Sequence, residues 1–249
     1  MLDIQDHAGG VRELRLARPP VNALNPGLVA ALNSELAKAL RGHRAVVLSG
    51  QSGMFSGGLD VRELSALTDV KVREFLLDFL ALQERIACAA VPVIAAITGH
   101  SPAGGTVLAV FCDYRIMARG PYRIGLNEVQ VGLTPGAIIY RSFERLLGPR
   151  LAADWAMRGV LADPETALAA GLVDELAEPA AVIERALAYA RELLALPASA
   201  FSVTRTQVRA DMVALFDLVQ RTALVEQTMQ LWSNAETRQR LLRLVDKSR

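Results

Sequence analysis

Twice in the first half of the chain, a short apolar run ends in a glycine-rich loop that feeds a helix. The first instance runs from Val46-Val47-Leu48 to Phe55-Ser56-Gly57-Gly58-Leu59-Asp60. The second runs from Val93-Ile94-Ala95-Ala96-Ile97 to Pro102-Ala103-Gly104-Gly105-Thr106. Short apolar runs bounded by turn residues read as buried strands. Each loop can expose backbone N–H groups, and the second sits where a helix begins, where the first N–H groups have no partner inside the helix. Two such N–H groups converging on one point form an oxyanion hole, worth about 3–4 kcal/mol per donor. The other reading is a pair of tight turns in which glycine supplies positive φ. Spacing alone leaves both open.

The rest of the chain fits an α/β body followed by helices. Leu2-Asp3-Ile4-Gln5 and Val11 to Leu16 partly alternate apolar and polar residues and flank Ala8-Gly9-Gly10, a hairpin pattern. Asn25-Pro26 places a capping residue before a first-turn proline, and Leu28 to Leu40 follow with helical periodicity. A helix is expected from Asp60 to about Ala89, a strand over Val91–Ile97, a loop over Thr98–Gly105 and an apolar helix over Thr106–Phe111. Further strands are expected at Tyr114–Met117, Tyr122–Ile124 and Leu172–Asp174. Asp163-Pro164-Glu165 starts another helix. Helical segments from Val182 to Leu194 and from Asp211 to Leu244 follow. In the last of these, Leu215, Leu218, Val225, Met229 and Trp232 form an apolar stripe that suits either the chain's own core or a subunit interface.

Composition excludes several classes. With 249 residues the chain suits one large domain, or a domain with an appendage. A mean hydropathy of +0.27 raises the question of a membrane. The longest apolar stretch, Ile86 to Ile97, contains Pro92 and falls well short of the ~20 residues a spanning helix needs, so no membrane partner is expected. A net charge of +1 offers no basic surface for nucleic acid. His7, His43 and His100 lack metal-ligand spacing, so no metal is expected, and Cys88 and Cys112 sit in apolar company and read as core residues. The opening Met1-Leu2-Asp3-Ile4 has no basic or apolar leader pattern, which makes the cytoplasm the expected location.

No phosphate-binding glycine pattern is present. Gly99-His100-Ser101-Pro102-Ala103 approaches a nucleophile elbow but has Ala103 where that turn requires glycine. One acid stands out. Glu128 lies in the apolar segment Gly125 to Leu133, where desolvation would raise its pKa toward that of a neutral-pH general base. An ordinary surface glutamate on a loop is the alternative.

Together these segments resemble the crotonase, or enoyl-CoA hydratase/isomerase, superfamily. The resemblance rests on Leu16 to Asn25, Phe55 to Val61, Ala96 to Gly105, Cys112 to Ile116 and Gly125 to Glu128, in that order along the chain. It implies a fold built as a ββα spiral over residues 1–195 that holds an acyl-CoA site. Residues 196–249 would form a C-terminal helical trimerisation module, giving a homotrimer or a dimer of trimers. It also implies that the backbone N–H groups of Leu59 and Gly104 hold a thioester enolate oxygen. Ala23, Gly57, Gly58, Asp60 and Val61 would bind the substrate, and Asn127 would contact it or orient Glu128. Coenzyme A would enter as part of the substrate, with no further cofactor. Gly57 departs from the alanine usual at its position, which gives that loop extra freedom.

The resemblance also narrows the reaction. Hydratases of the superfamily carry a second glutamate where this chain has Val107, and dienoyl-CoA isomerases carry an aspartate where it has Gly136. The remaining pattern is similar to mitochondrial-type Δ3,Δ2-enoyl-CoA isomerases of fatty-acid β-oxidation. It implies that Glu128 alone shuttles the proton, with hydration or another single-acid acyl-CoA reaction as the alternative.

Overall fold

A computed structural model describes residues 1–247. The last two residues of the expected 196–249 module lie outside that range. In chain order the elements are β1 (Leu2–His7), β2 (Val11–Leu16), α1 (Pro26–Gly42), β3 (Ala45–Ser49), β4 (Gly53–Met54), α2 (Val61–Ser65) and α3 (Asp69–Ala87). Next come β5 (Val93–Ile97), β6 (Gly99–Pro102), α4 (Gly104–Val110), β7 (Tyr114–Ala118), β8 (Ile124–Gly125) and a 3-10 turn over Glu128–Val131. Then α5 (Gly136–Leu147), α6 (Pro149–Arg158), α7 (Pro164–Ala169), β9 (Glu175–Ala177) and α8 (Val182–Leu194) precede α9 (Ala198–Ala214), α10 (Leu218–Trp232) and α11 (Ala235–Lys247).

Two sheets account for the body. A six-stranded sheet has the order β1-β2-β3-β5-β7-β9, and a three-stranded one the order β4-β6-β8. Successive turns of chain therefore lay one strand in each sheet before entering a helix, and this is the expected ββα spiral. Only β1–β2 is antiparallel within the larger sheet. Its central strands read as continuous apolar runs because both faces are covered. Val46, Leu48, Val93, Ala95, Ile97 and Met117 face the main core with α1, α3 and α4. Val47, Ile94, Ala96, Ile116 and Ala118 face α8 through Val182, Ala186, Leu187 and Ala190. Among the described residues no helix is long and apolar enough to cross a membrane.

Several boundaries differ from the sequence reading, each for a local reason. The helix expected from Asp60 to Ala89 is interrupted after Ser65, and α3 restarts where the Thr68 hydroxyl accepts from Lys71 N. The loop expected over Thr98–Gly105 contains β6, and α4 begins at Gly104. The strand expected at Tyr122–Ile124 is β8. The strand expected at Leu172–Asp174 lies at β9 instead, because Leu172 and Val173 plug the core from a turn and Asp174 binds Arg115. The helix expected from Asp211 to Leu244 is three helices. Asp217 caps α10 by accepting from Gln220 N at 2.9 Å, and Asn234 accepts from Glu236 N at 2.8 Å where α11 begins. Cys88 is exposed because it caps α3 after the amphipathic helix has ended; Cys112 is buried.

The apolar stripe is divided. Val225, Met229 and Trp232 are buried in the chain's own core and Leu215 packs against it, whereas Leu218, at the start of α10, is 79% exposed. Most of the stripe thus serves the intramolecular core and does not by itself indicate an interface.

The C-terminal helices are anchored by a charged cluster. Asp113 receives a bidentate pair from Arg205 at 2.9 Å and a further contact from Arg209 at 2.9 Å, and it accepts from Val93 N at 2.8 Å. The remaining guanidinium N–H groups donate to the carbonyls of Ala89, Ala87 and Phe111, where α3 and α4 end. Asp113→Ala leaves two buried cations facing each other and is expected to cost about 3–5 kcal/mol in urea unfolding.

Candidate active site

The pairing of β4 with β6 brings the two glycine loops together. They run parallel with Gly53 opposite Gly99 and Met54 opposite His100, and Phe55 N donates to His100 O at 2.9 Å. A few residues further along each strand stand Leu59 and Gly104. A bridge between Leu24 and Leu59 then sets the direction of one N–H. Leu24 N donates to Gly58 O at 2.8 Å and Asp60 N to Leu24 O at 3.0 Å. Because N–H groups alternate sides along an extended segment, the Leu59 N–H points away from Leu24. Gly104 opens α4, so its N–H has no helical acceptor.

The glycines let these donors approach closely. A Cβ on Gly58 would lie 3.3 Å from Gly104 N, and one on Gly104 would lie 3.2 Å from Gly58 Cα. Gly58 also holds φ +89, and its neighbour across the contact, Ala103, holds φ 45 with ψ −116. A non-glycine residue in that region stores local strain, here at the residue that turns the chain from β6 into α4. The loop is pinned by a residue that the sequence reading did not single out. Buried Asn22 accepts from Arg18 N at 2.8 Å and donates from Nδ2 to Phe55 O at 3.0 Å, while Ser56 Oγ donates to Asn22 O at 2.9 Å.

Both loops open on a cavity of about 250 Å³. Of the predicted site residues, Gly57, Leu59, Val61, Gly104, Asn127 and Glu128 line it. Ala23, Gly58 and Asp60 do not. The Ala23 carbonyl accepts from Arg18, and Asp60 caps α2 by accepting from Glu63 N at 2.9 Å and pairs with Arg18 at 2.7 Å. The apolar wall comes from α3 through Leu76, Phe79 and Leu80, from α4 through Val107, and from α10 through Leu224. Ser101 is buried with its Oγ unpartnered, and the His100 ring packs edge-on against Tyr122 at 5.3 Å. Ser101 and His100 are not paired by any hydrogen bond among the described residues, which disposes of the nucleophile-elbow pattern.

Glu128 is the single ionisable residue in the cavity lining. It starts the 3-10 turn, which Gly132 closes at φ 84. The turn is held from outside by Gln130 Nε2 donating to Gly159 O at 2.9 Å and by the Thr237 hydroxyl donating to Gly132 O at 3.0 Å. Carboxylate Oε2 is buried without a partner. Burial pushes the Glu128 carboxyl up to about 7, opposed only by its own backbone N–H. A carboxylate with a vacant lone pair and a pKa near neutrality can remove a proton and return it. The Asn127 Oδ1 beside it is likewise buried and unpartnered.

Neither further acid position could assist. Val107 is 2% exposed in the wall. At Gly136, φ is +76 and a Cβ would lie 2.9 Å from Leu224 Cγ, so an aspartate has neither the conformation nor the room.

Residues 6–247 match the family described as enoyl-CoA hydratase/isomerase. The chain belongs to that family. It is 32% identical over 208 residues to the human mitochondrial enoyl-CoA delta isomerase 1, covering 82% of this chain and 69% of that protein. It is also 35% identical over 197 residues to a probable enoyl-CoA hydratase of Rhizobium meliloti strain 1021, covering 77% and 75%. Among solved structures, the human mitochondrial delta3-delta2-enoyl-CoA isomerase superposes with a TM-score of 0.93 at 29% identity, covering 99% of this chain and 97% of that one. An enoyl-CoA hydratase of Mycobacterium ulcerans Agy99 gives 0.83 at 29% identity, covering 93% and 99%. The fold and the enoyl-CoA class expected from the sequence are thereby established, and the relatives carry both isomerase and hydratase names.

Proposed function

We propose that this member of the enoyl-CoA hydratase/isomerase family is a Δ3,Δ2-enoyl-CoA isomerase of fatty-acid oxidation. The observation that carries this reading is a cavity lined by one carboxylate, Glu128, together with Leu59 and Gly104 of the two glycine loops. The thioester oxygen would accept from Leu59 N and Gly104 N. Glu128 would take a proton from C2, and the electrons of that C–H bond would pass into a dienolate whose charge rests on the thioester oxygen. Glu128 would then return the proton at C4, so that the C3=C4 bond is lost and C2=C3 is formed. No atom is gained, so one acid suffices. Hydration would need a second group to manage water, and Val107 occupies that position. The TM-score of 0.93 with the human isomerase structure is in keeping with the same choice.

The test mixes the protein with 3-enoyl-CoA and follows the absorbance of the conjugated 2-enoyl-CoA, with hydration of 2-enoyl-CoA measured in parallel. Isomerisation should exceed hydration by a wide margin; comparable rates would overturn the reading. Because the base must be ionised to act, kcat/KM should rise with pH as one proton leaves the free enzyme and level off above a midpoint near 7. We further propose that copies associate as a trimer or a dimer of trimers through the faces of α9 and α10 that expose Val203, Val208, Leu218 and Val219. Sedimentation showing a stable monomer would refute that assembly.

A further inference from the structure

The cavity wall contains a polar side chain far along α3, Gln83, that the isomerisation does not use. Leu76, Phe79, Leu80 and Gln83 follow the i, i+3, i+4, i+7 spacing of one face of α3, and all four line the wall. Leu80 and Gln83 are 0% and 2% exposed against 7% and 5% for Leu76 and Phe79, so the amide belongs to the more buried half of the row. Gln83 Oε1 is buried with no hydrogen-bond partner. Thr228, in the same lining, cannot supply one, because its hydroxyl donates to Leu224 O at 2.8 Å. A plain hydrocarbon chain would leave this already buried acceptor unsatisfied, which is costly in a dry pocket.

We infer that the cavity accepts an acyl chain carrying a hydroxyl group, and that Gln83 is the residue that selects it. This deepens the acyl-CoA reading above and rests on it. A hydroxyl suits the site because it can donate to Oε1 or accept from Nε2, so either orientation of the amide is satisfied. A charged chain does not suit it, because the lining offers no cation for a carboxylate and, apart from Glu128 at the proton-transfer position, no anion for an amine. Sites that hydrogen-bond a substrate hydroxyl discriminate against the analogue lacking it, because the protein group is then left unpaired.

The test is direct binding, without turnover, measured by titration calorimetry. The probes are octanoyl-CoA and a set of hydroxyoctanoyl-CoA isomers with the hydroxyl moved along the distal half of the chain. Gln83→Met serves as the variant, since methionine keeps the unbranched shape and removes the amide. At least one hydroxy isomer should bind the wild-type protein about tenfold more tightly than octanoyl-CoA, in keeping with one added buried hydrogen bond. In Gln83→Met that preference should vanish and octanoyl-CoA should bind at least as well as any isomer. Equal binding of plain and hydroxylated chains by the wild type would overturn the inference, and so would a preference that survives in the variant. If the wild type binds none of these thioesters, the acyl-CoA reading itself fails.

Discussion

Glu128→Gln is expected to lower kcat for isomerisation by about 10²–10⁴, the usual contribution of a positioned general base. The amide keeps the size of the carboxyl, and the Leu59 and Gly104 donors are untouched, so binding of acyl-CoA should change little. Stability should move in the opposite direction. Burial raises the Glu128 carboxyl to about 7, so the folded protein binds the proton more tightly than the unfolded chain does. The contribution of this group to stability is therefore greatest in acid, declines as the pH rises from the ordinary carboxylate range to about 7, and is constant above that. At pH 8 the wild type holds an ionised carboxylate in a dry cavity and the variant does not. The variant should accordingly melt higher at pH 8, and the two should converge near pH 4. Wild-type turnover in Glu128→Gln would show that another group is the base.

The second large effect is expected from Gly105→Ala. A Cβ there would stand 2.8 Å from the Ser56 carbonyl oxygen and 2.8 Å from Ser101 Oγ. The first of these is backbone of the loop that carries Leu59, so the new methyl group acts as a wedge between the two donors. Misplacing one oxyanion donor costs on the order of 10²-fold in rate. The loss should appear in kcat/KM with the pH midpoint still near 7, because Glu128 is not displaced. A shifted midpoint would mean that the wedge had reached the base, and an unchanged rate would mean that the two N–H groups do not act together. A crystal structure of the variant, or its Tm, separates a local shift from unfolding.

What the sequence made legible follows from the range of the interactions involved. The two glycine loops announce themselves because glycines, a short strand and a helix start are neighbours in the chain, and the β4–β6 register then brings Leu59 toward Gly104 without further information. Glu128 is legible for the same reason, as an acid in an otherwise apolar segment. Asn22 is not, since its role depends on hydrogen bonds to Phe55 that its own neighbours do not signal. Gln83 is hidden more thoroughly. On an amphipathic helix it looks like any polar residue, and its burial depends on the approach of helices packed against α3 from elsewhere in the chain, α10 among them. That approach is a long-range event: Arg221 reaches Glu84 at 2.6 Å across 137 residues of chain, and Arg73 pairs with Glu226 across 153. The division of the last helical stretch into three was written locally, in Asp217 and Asn234, yet a continuous periodicity of apolar residues masked both caps.

The walls of the cavity are unequal in their attachment. The loops that carry the two donors are tied into β4, β6 and the Leu24 bridge, whereas α10, which supplies Leu224 and Thr228, is held by side-chain packing of Leu224, Val225, Met229 and Trp232 in the core and by ion pairs to α3 on partly exposed side chains. Such pairs contribute little individually and less as salt is added. Local opening draws on the least stable part of a structure first. The compartment is then only as durable as the side-chain packing of its last helices, which no backbone ladder backs up. Salt, warmth or a protease that frees α10 floods the compartment while the strands still stand, so the molecule would fall silent well before it lost its shape.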